Sequence, residues 1–234
     1  ASERFRGKSD GDLYGDVVEE FDYETGRLLD TVDELDLRDN TIVIYTSDNG
    51  PWNQDKYTKK KKGHPKGSIF WGDAGPLRNG KGSPYEGGYR LPCIVRWPGK
   101  VPAGRTSDAI FSTIDFMPTF AALAGYTVPS DRRIDGINQT ELLLGTRESG
   151  RDHFYFQGAG IRLGKWKYLK PNAFFHGYAV EDDRKKIDEL YDLENDIGER
   201  TNLASKYPKK VTELKELMLS VEQSDRLRPK DSRR

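Results

Sequence analysis

At 234 residues the chain is long enough for one large domain or two small ones. Its apolar residues, 35% of the total, are clustered rather than diluted among the 32% that are charged, which excludes a disordered chain. Lys+Arg and Asp+Glu balance at 38 each, so overall charge selects no class of partner. The one cysteine excludes an internal disulfide.

From about Asp16 to Leu37, apolar residues recur at helical spacing: Val17, Phe21, Leu28, Val32 and Leu35. Glu19, Glu20 and Asp33 fall on the other face, so the spacing predicts an amphipathic helix that tolerates Gly26. A short connection leads into Thr41-Ile42-Val43-Ile44-Tyr45-Thr46, a continuous β-branched and apolar run. Such a run reads as a strand buried on both faces, hence a central parallel strand. It stops at Ser47-Asp48-Asn49-Gly50. Chemistry in open α/β sheets collects just beyond the carboxyl ends of such strands. Asp48 and Asn49 offer hard oxygen ligands of the kind that suit Ca²⁺ or Mg²⁺. The same residues also read as an ordinary Asn-Gly turn, and both readings stand at this point.

Residues 50 to 89 are rich in Gly, Pro and Lys with little periodicity, and loops of this length are functional or disordered. Between Gly50 and Arg105 there are twelve basic and three acidic residues, a local charge of +9. That segment suits an anionic substrate, although Lys59 to Lys62 alone read as a solvated loop. Within it, Lys81 stands between Gly80 and Gly82. Flanking glycines let the backbone approach a ligand, and the ammonium supplies a point charge for an oxyanion or a leaving oxygen. The alternative is an exposed lysine in a loop.

Leu91 to Trp97 predicts a second strand closed by Pro98-Gly99, with Cys93 as a buried structural thiol. Asp115 to Leu123 predicts a helix capped by Asp115, with Pro118 in its first turn and Gly125 ending it. The texture changes near Gly150. Ile161 to Leu169 reads as strand, turn, strand, and Glu189 to Leu193 as another strand. Pro208 starts a final helix with Val211, Leu214, Leu217, Met218 and Val221 on one face. Arg226 to Arg234 reads as a charged, frayed tail. The expected division is 1–149, an α/β domain, and 150–234, a small α+β subdomain. No apolar run approaches the roughly 18 residues of a membrane span. The first residues carry no signal-peptide core.

Several ordered segments together resemble the C-terminal part of a sulfatase of the alkaline-phosphatase-like superfamily. They are Tyr14-Gly15-Asp16, Thr41 to Pro51, Leu77 to Gly88, Arg90 to Gly99, Ser112 to Gly125, Asp135-Gly136 and Glu189 to Asn195. The resemblance implies an alkaline-phosphatase-like sheet, present in part, followed by an antiparallel subdomain with a C-terminal helix. It implies that Asp48 and Asn49 are ligands of a catalytic Ca²⁺. It implies that Lys81 contacts the sulfate group and the substrate-side oxygen. The implied substrate is a sulfate ester, such as one on a sulfated glycan, with no nucleic acid involved. The family nucleophile is a formylglycine made within a Cys/Ser-x-Pro/Ala-x-Arg motif. That motif is not in this chain: Cys93 is followed by Ile94-Val95-Arg96. The early Asp pair that completes the calcium shell is not in it either. The resemblance therefore implies the C-terminal portion of a longer sulfatase, with the missing N-terminal portion as its partner and periplasmic, secreted or lysosomal residence. Alternatives are a phosphoryl-transfer enzyme of the same superfamily and a non-catalytic anion- or glycan-binding remnant. His64 lies in the loop after the Asp-Asn pair, as a substrate contact or an exposed loop residue. Asn138-Gln139-Thr140 is a glycosylation acceptor triplet, and His153 and His176 carry no assigned role.

Overall fold

A computed structural model describes residues 1–52, 71–173, 175 and 185–226. The chain forms two compact units. One comprises Ala1–Gly99 with Phe175–Asp182, the other Lys100–Phe174 with Asp183–Arg234. The boundary read at 149/150 lies inside the second unit. The texture change at Gly150 coincides with the approach to that unit's sheet, whose first strand begins at His153.

The first unit opens with helix α1 (Asp12–Glu34). Asp16 is its one buried residue. Asp16 accepts backbone N–H groups from Gly7 (2.7 Å), Lys8 (3.1 Å) and Ser9 (2.9 Å), which folds the first residues back onto the helix start. Those bonds, Ser9 foremost, hold the carboxyl below the ordinary aspartate value. The apolar stripe of the expected amphipathic helix is largely exposed in this chain: Val17 50%, Phe21 56%, Leu28 54%, Leu35 62%.

Strand β1 (Val43–Thr46) follows. Its partner corrects the expectation of a central parallel strand. β1 pairs antiparallel with β2 (Cys93–Arg96), in the register Val43↔Arg96 to Thr46↔Cys93, and its residues are half-buried or exposed. A continuous apolar run reports burial by neighbours but not which neighbour supplies the ladder. Phe21 of α1 lies 5.4 Å from the Tyr45 ring, and Arg96 grips Asp33 of α1 through two 2.8 Å contacts. Cys93 is exposed rather than buried, because β2 begins at the rim of the pair. Among the described residues between the strands lies a helical turn, α2 (Glu86–Tyr89).

The second unit contains α3 (Phe116–Leu123), α4 (Thr140–Leu143) and a four-stranded antiparallel sheet. The strands are β3 (His153–Tyr155), β4 (Gly160–Leu163), β5 (Trp166–Leu169) and β6 (Glu189–Asp192), in that order across the sheet. Helix α5 (Pro208–Arg226) packs on one face. Val211, Leu214 and Met218 meet Ile161, Tyr168 and Leu190 there, with Leu217 and Val221 at the margin, as the helical spacing predicts. Alternation along β5 turns Lys167 to the opposite side from Tyr168. Lys167 is fully buried there and pairs with buried Glu199 at 2.9 Å. Gly125, at φ +74°, ends α3. Asp115 is fully buried and does more than cap. It completes a capping box with Ser112 and also binds Ile137 N, Gln139 Nε2 and Arg151. Among the described residues, no helix is long and apolar enough to cross a membrane.

Candidate active site

The Asp48-Asn49 pair sits where β1 ends, and backbone contacts bring it beside the Lys81 turn. Gly50 N donates to Gly88 O at 3.0 Å, and Lys81 N donates to Pro51 O at 2.9 Å. The bonded residues are 38 and 30 positions apart by number, yet the two segments run against each other at main-chain distance. Gly87 N donates to Arg78 O at 2.9 Å, which folds the Lys81 turn onto α2. The base of that turn is anchored by Tyr85, which is fully buried. The Arg78 guanidinium lies 3.6 Å over its ring, and Phe175 meets it edge-on at 5.8 Å. Glu86 is buried beneath, 3.8 Å from Arg90.

Asp48 is exposed, and Asn49 and Lys81 are half-buried. Ser47 Oγ donates to Asn49 O at 3.1 Å and lies 3.5 Å from Asp48 Oδ1. Asn49 Nδ2 donates to Gly50 O at 3.2 Å, and Oδ1 is the acceptor of that amide. The donor chemistry therefore fits a hard cation: one carboxylate and one amide oxygen, adjacent at a strand end. The count is short of the roughly six to eight oxygens that calcium takes. Among the described residues, no group of three or more His, Cys, Asp or Glu gathers to hold a metal. His64, Lys56, Lys59 to Lys62, Lys66 and His176 lie outside the described residues, as does the tail beyond Arg226.

Sequence reasoning missed what holds these groups together. Gly50, Gly87 and Gly88 are buried at a backbone-to-backbone crossing. The signal was present as a Gly directly after the Asp-Asn pair and a Gly-Gly pair after the lysine turn. It also missed the role of Asp16, although Tyr14-Gly15-Asp16 stood out as a motif.

The sulfatase family model matches residues 2–126 of this chain. The chain belongs to the sulfatase family. A second model, described as the C-terminal part of N-sulphoglucosamine sulphohydrolase, matches residues 80–224. An N-acetylgalactosamine-6-O-sulfatase of Bacteroides thetaiotaomicron is 38% identical over 229 residues, covering 93% of this chain and 43% of the relative. Human steryl-sulfatase is 39% identical over 173 residues, covering 74% and 28%. A solved structure from work on glycosaminoglycan metabolism by B. thetaiotaomicron superposes with a TM-score of 0.79 at 36% identity, covering 94% of this chain and 47% of that one. The chain thus spans less than half the length of each of these sulfatases, and its fold is the corresponding part of the alkaline-phosphatase-like sulfatase fold.

Proposed function

We propose that the polypeptide carrying this sulfatase chain hydrolyses a sulfate ester on a sugar, with Ca²⁺ held in part by Asp48 and Asn49. The nucleophile, expected as a formylglycine, and the remaining metal ligands belong to sequence outside this chain. One observation supports the reading most: the main-chain junction that sets the Asp48-Asn49 pair beside the Lys81 turn, in a chain of this family. The N-acetylgalactosamine-6-O-sulfatase at 38% identity supports a sugar as the bearer of the sulfate.

Sulfate transfer needs negative charge neutralised on the sulfate oxygens and on the departing oxygen. A calcium ion held by Asp48 and Asn49 would supply such positive charge. Asp48 and Asn49 hold their oxygens at the strand end, with the Asn49 amide oriented by its bond to Gly50 O. Lys81 supplies a compact ammonium on a turn whose main chain is fixed to Pro51. Its charge acts most strongly when the leaving oxygen becomes negative.

The test is steady-state hydrolysis by the full-length polypeptide. Lys81→Ala should lower kcat by on the order of 10²–10³-fold on a sugar 6-sulfate. Lys81→Arg should rescue it poorly, since a planar fork does not replace an ammonium. The loss should shrink on 4-nitrophenyl sulfate, whose leaving oxygen needs less help. Asp48→Ala should weaken calcium binding, read by titration. A Lys81→Ala effect confined to KM, equal for good and poor leaving groups, would refute the role of Lys81. Faster turnover of a phosphate ester than of its sulfate analogue would move the protein to phosphoryl transfer.

A further inference from the structure

We propose that Gly50, Gly87 and Gly88 are positioning residues: a backbone clasp that sets the distance between the Asp48-Asn49 oxygens and the Lys81 ammonium. This rests on the reading of Lys81 and the Asp-Asn pair given above.

The three glycines are required for space rather than for backbone freedom, since none of them has a positive φ. A Cβ on Gly50 would lie 1.7 Å from Gly87 O, and one on Gly87 would lie 2.2 Å from Asn79 O and 2.4 Å from Arg78 O. A Cβ on Gly88 would lie 2.3 Å from Ser83 O and 2.8 Å from Gly80 O. Every obstructing atom named is main chain, so no side chain can swing away to make room. The obstructing carbonyls of residues 78, 79, 80 and 83 belong to the segment that carries Lys81. The carbonyl against Gly50 belongs to α2. The glycines thus stack three layers of backbone: the segment leaving β1, α2, and the lysine turn. The hydrogen bonds Gly50 N to Gly88 O, Gly87 N to Arg78 O and Lys81 N to Pro51 O lock the layers in register.

Two consequences follow from that stacking. Asp48 and Asn49 are two and one residues from Gly50, and Lys81 lies between Gly80 and Ser83, so any widening of the crossing moves one set of reacting groups from the other. A methyl on Gly87 forces the layers apart by about 1 Å, and a displacement of that size costs on the order of 10²-fold in rate when it separates reacting groups.

The experiment uses the full-length sulfatase with Gly87→Ala, Lys81→Ala and the double variant. A sugar 6-sulfate and 4-nitrophenyl sulfate serve as substrates. Gly87→Ala should lower kcat about 10²-fold on the sugar sulfate and leave KM within about threefold. The loss should be smaller on 4-nitrophenyl sulfate. In the Lys81→Ala background the same substitution should cost less than about threefold, because the misplaced group is already gone. Amide exchange should show protection lost at Gly50 and Lys81 together. Should Gly87→Ala fold poorly, Asn79→Gly replaces it. That change keeps the left-handed backbone at residue 79 (φ +61°) but removes the Asn79 Oδ1 bond to Gly80 N, and its loss should be about tenfold with the same non-additivity. An equal penalty with and without Lys81, or a penalty in KM, would make the glycines merely structural and overturn the proposal. Activity lost in Lys81→Ala but kept in Gly87→Ala would overturn the positioning role alone. Unchanged kcat in Lys81→Ala would remove the underlying reading, and the positioning role with it.

Discussion

Removing Arg151 should destabilise the second unit by about 3 kcal/mol through Asp115. Asp115 is completely buried and Arg151 is 11% exposed in its side chain. The pair is held by Arg151 Nε at 2.9 and 2.8 Å from the two carboxylate oxygens and by Nη2 at 2.6 Å. Arg151 Nη2 also reaches Asp135 O, so the guanidinium ties three separate stretches of chain. In Arg151→Met the buried carboxylate keeps three donors: Ser112 N at 3.0 Å, Ile137 N at 2.9 Å and Gln139 Nε2 at 3.3 Å. Breaking a buried pair by removing one partner costs about 3–5 kcal/mol, and three remaining donors place this case at the low end.

Native-state amide exchange at β4 to β6 reads the second unit by itself, at protein concentrations where sedimentation shows a monomer. A loss of about 3 kcal/mol appears as exchange roughly 10²-fold faster at the slowest amides. Adding Asp115→Asn to Arg151→Met should recover part of the loss, since no uncompensated charge then remains buried. Arg151→Lys should fall between, because an ammonium keeps the charge but not the fork. A cost below about 1 kcal/mol for Arg151→Met, or strict additivity in the double variant, would refute the argument that the carboxylate depends on this guanidinium.

Acid should release the start of the chain before it unfolds the second unit's sheet. The folded-state pKa of Asp16 is depressed, so its contribution is present above the ordinary aspartate value and lost as pH falls through the depressed one. Protection factors of the Gly7, Lys8 and Ser9 amides, corrected for intrinsic exchange at each pH, check this, and Asp16→Asn should remove their pH dependence. The exposed stripe on α1 should make the isolated chain self-associate, and Leu28→Lys with Leu35→Lys should reduce it in sedimentation. A monodisperse monomer unaffected by the two lysines would count against that stripe as the sticky surface.

Periodicity made the second unit legible. The hairpin of β4 and β5, strand β6 and the buried face of α5 follow from alternation and helical spacing, because these elements bury their apolar faces against one another. β3 and α4 were missed, being short and set in irregular chain. The first unit was harder for a physical reason. The spacing on α1 marks an apolar face but not what covers it, and the run at β1 marks a strand but not the direction of its neighbour. At the site, Asp48, Asn49 and Lys81 were visible as chemical types at a strand end and in a glycine turn. Their proximity was not, since it depends on contacts between residues 50–51 and 81–88 that no local pattern encodes.

Glycine is where the two kinds of information part. In a sequence, Gly125 and Gly87 look alike. Gly125 ends a helix at φ +74°, where an added Cβ would meet nothing within 4 Å. Gly87 has no unusual dihedral but faces two carbonyls within 2.4 Å of an added Cβ. An alanine at Gly125 meets backbone strain alone, about 1 kcal/mol or somewhat more. At Gly87 it meets packed main chain, and any relaxation must move the segment that carries Lys81. The same substitution thus acts on stability at one position and on the geometry of the site at the other, and only the neighbouring backbone distinguishes them.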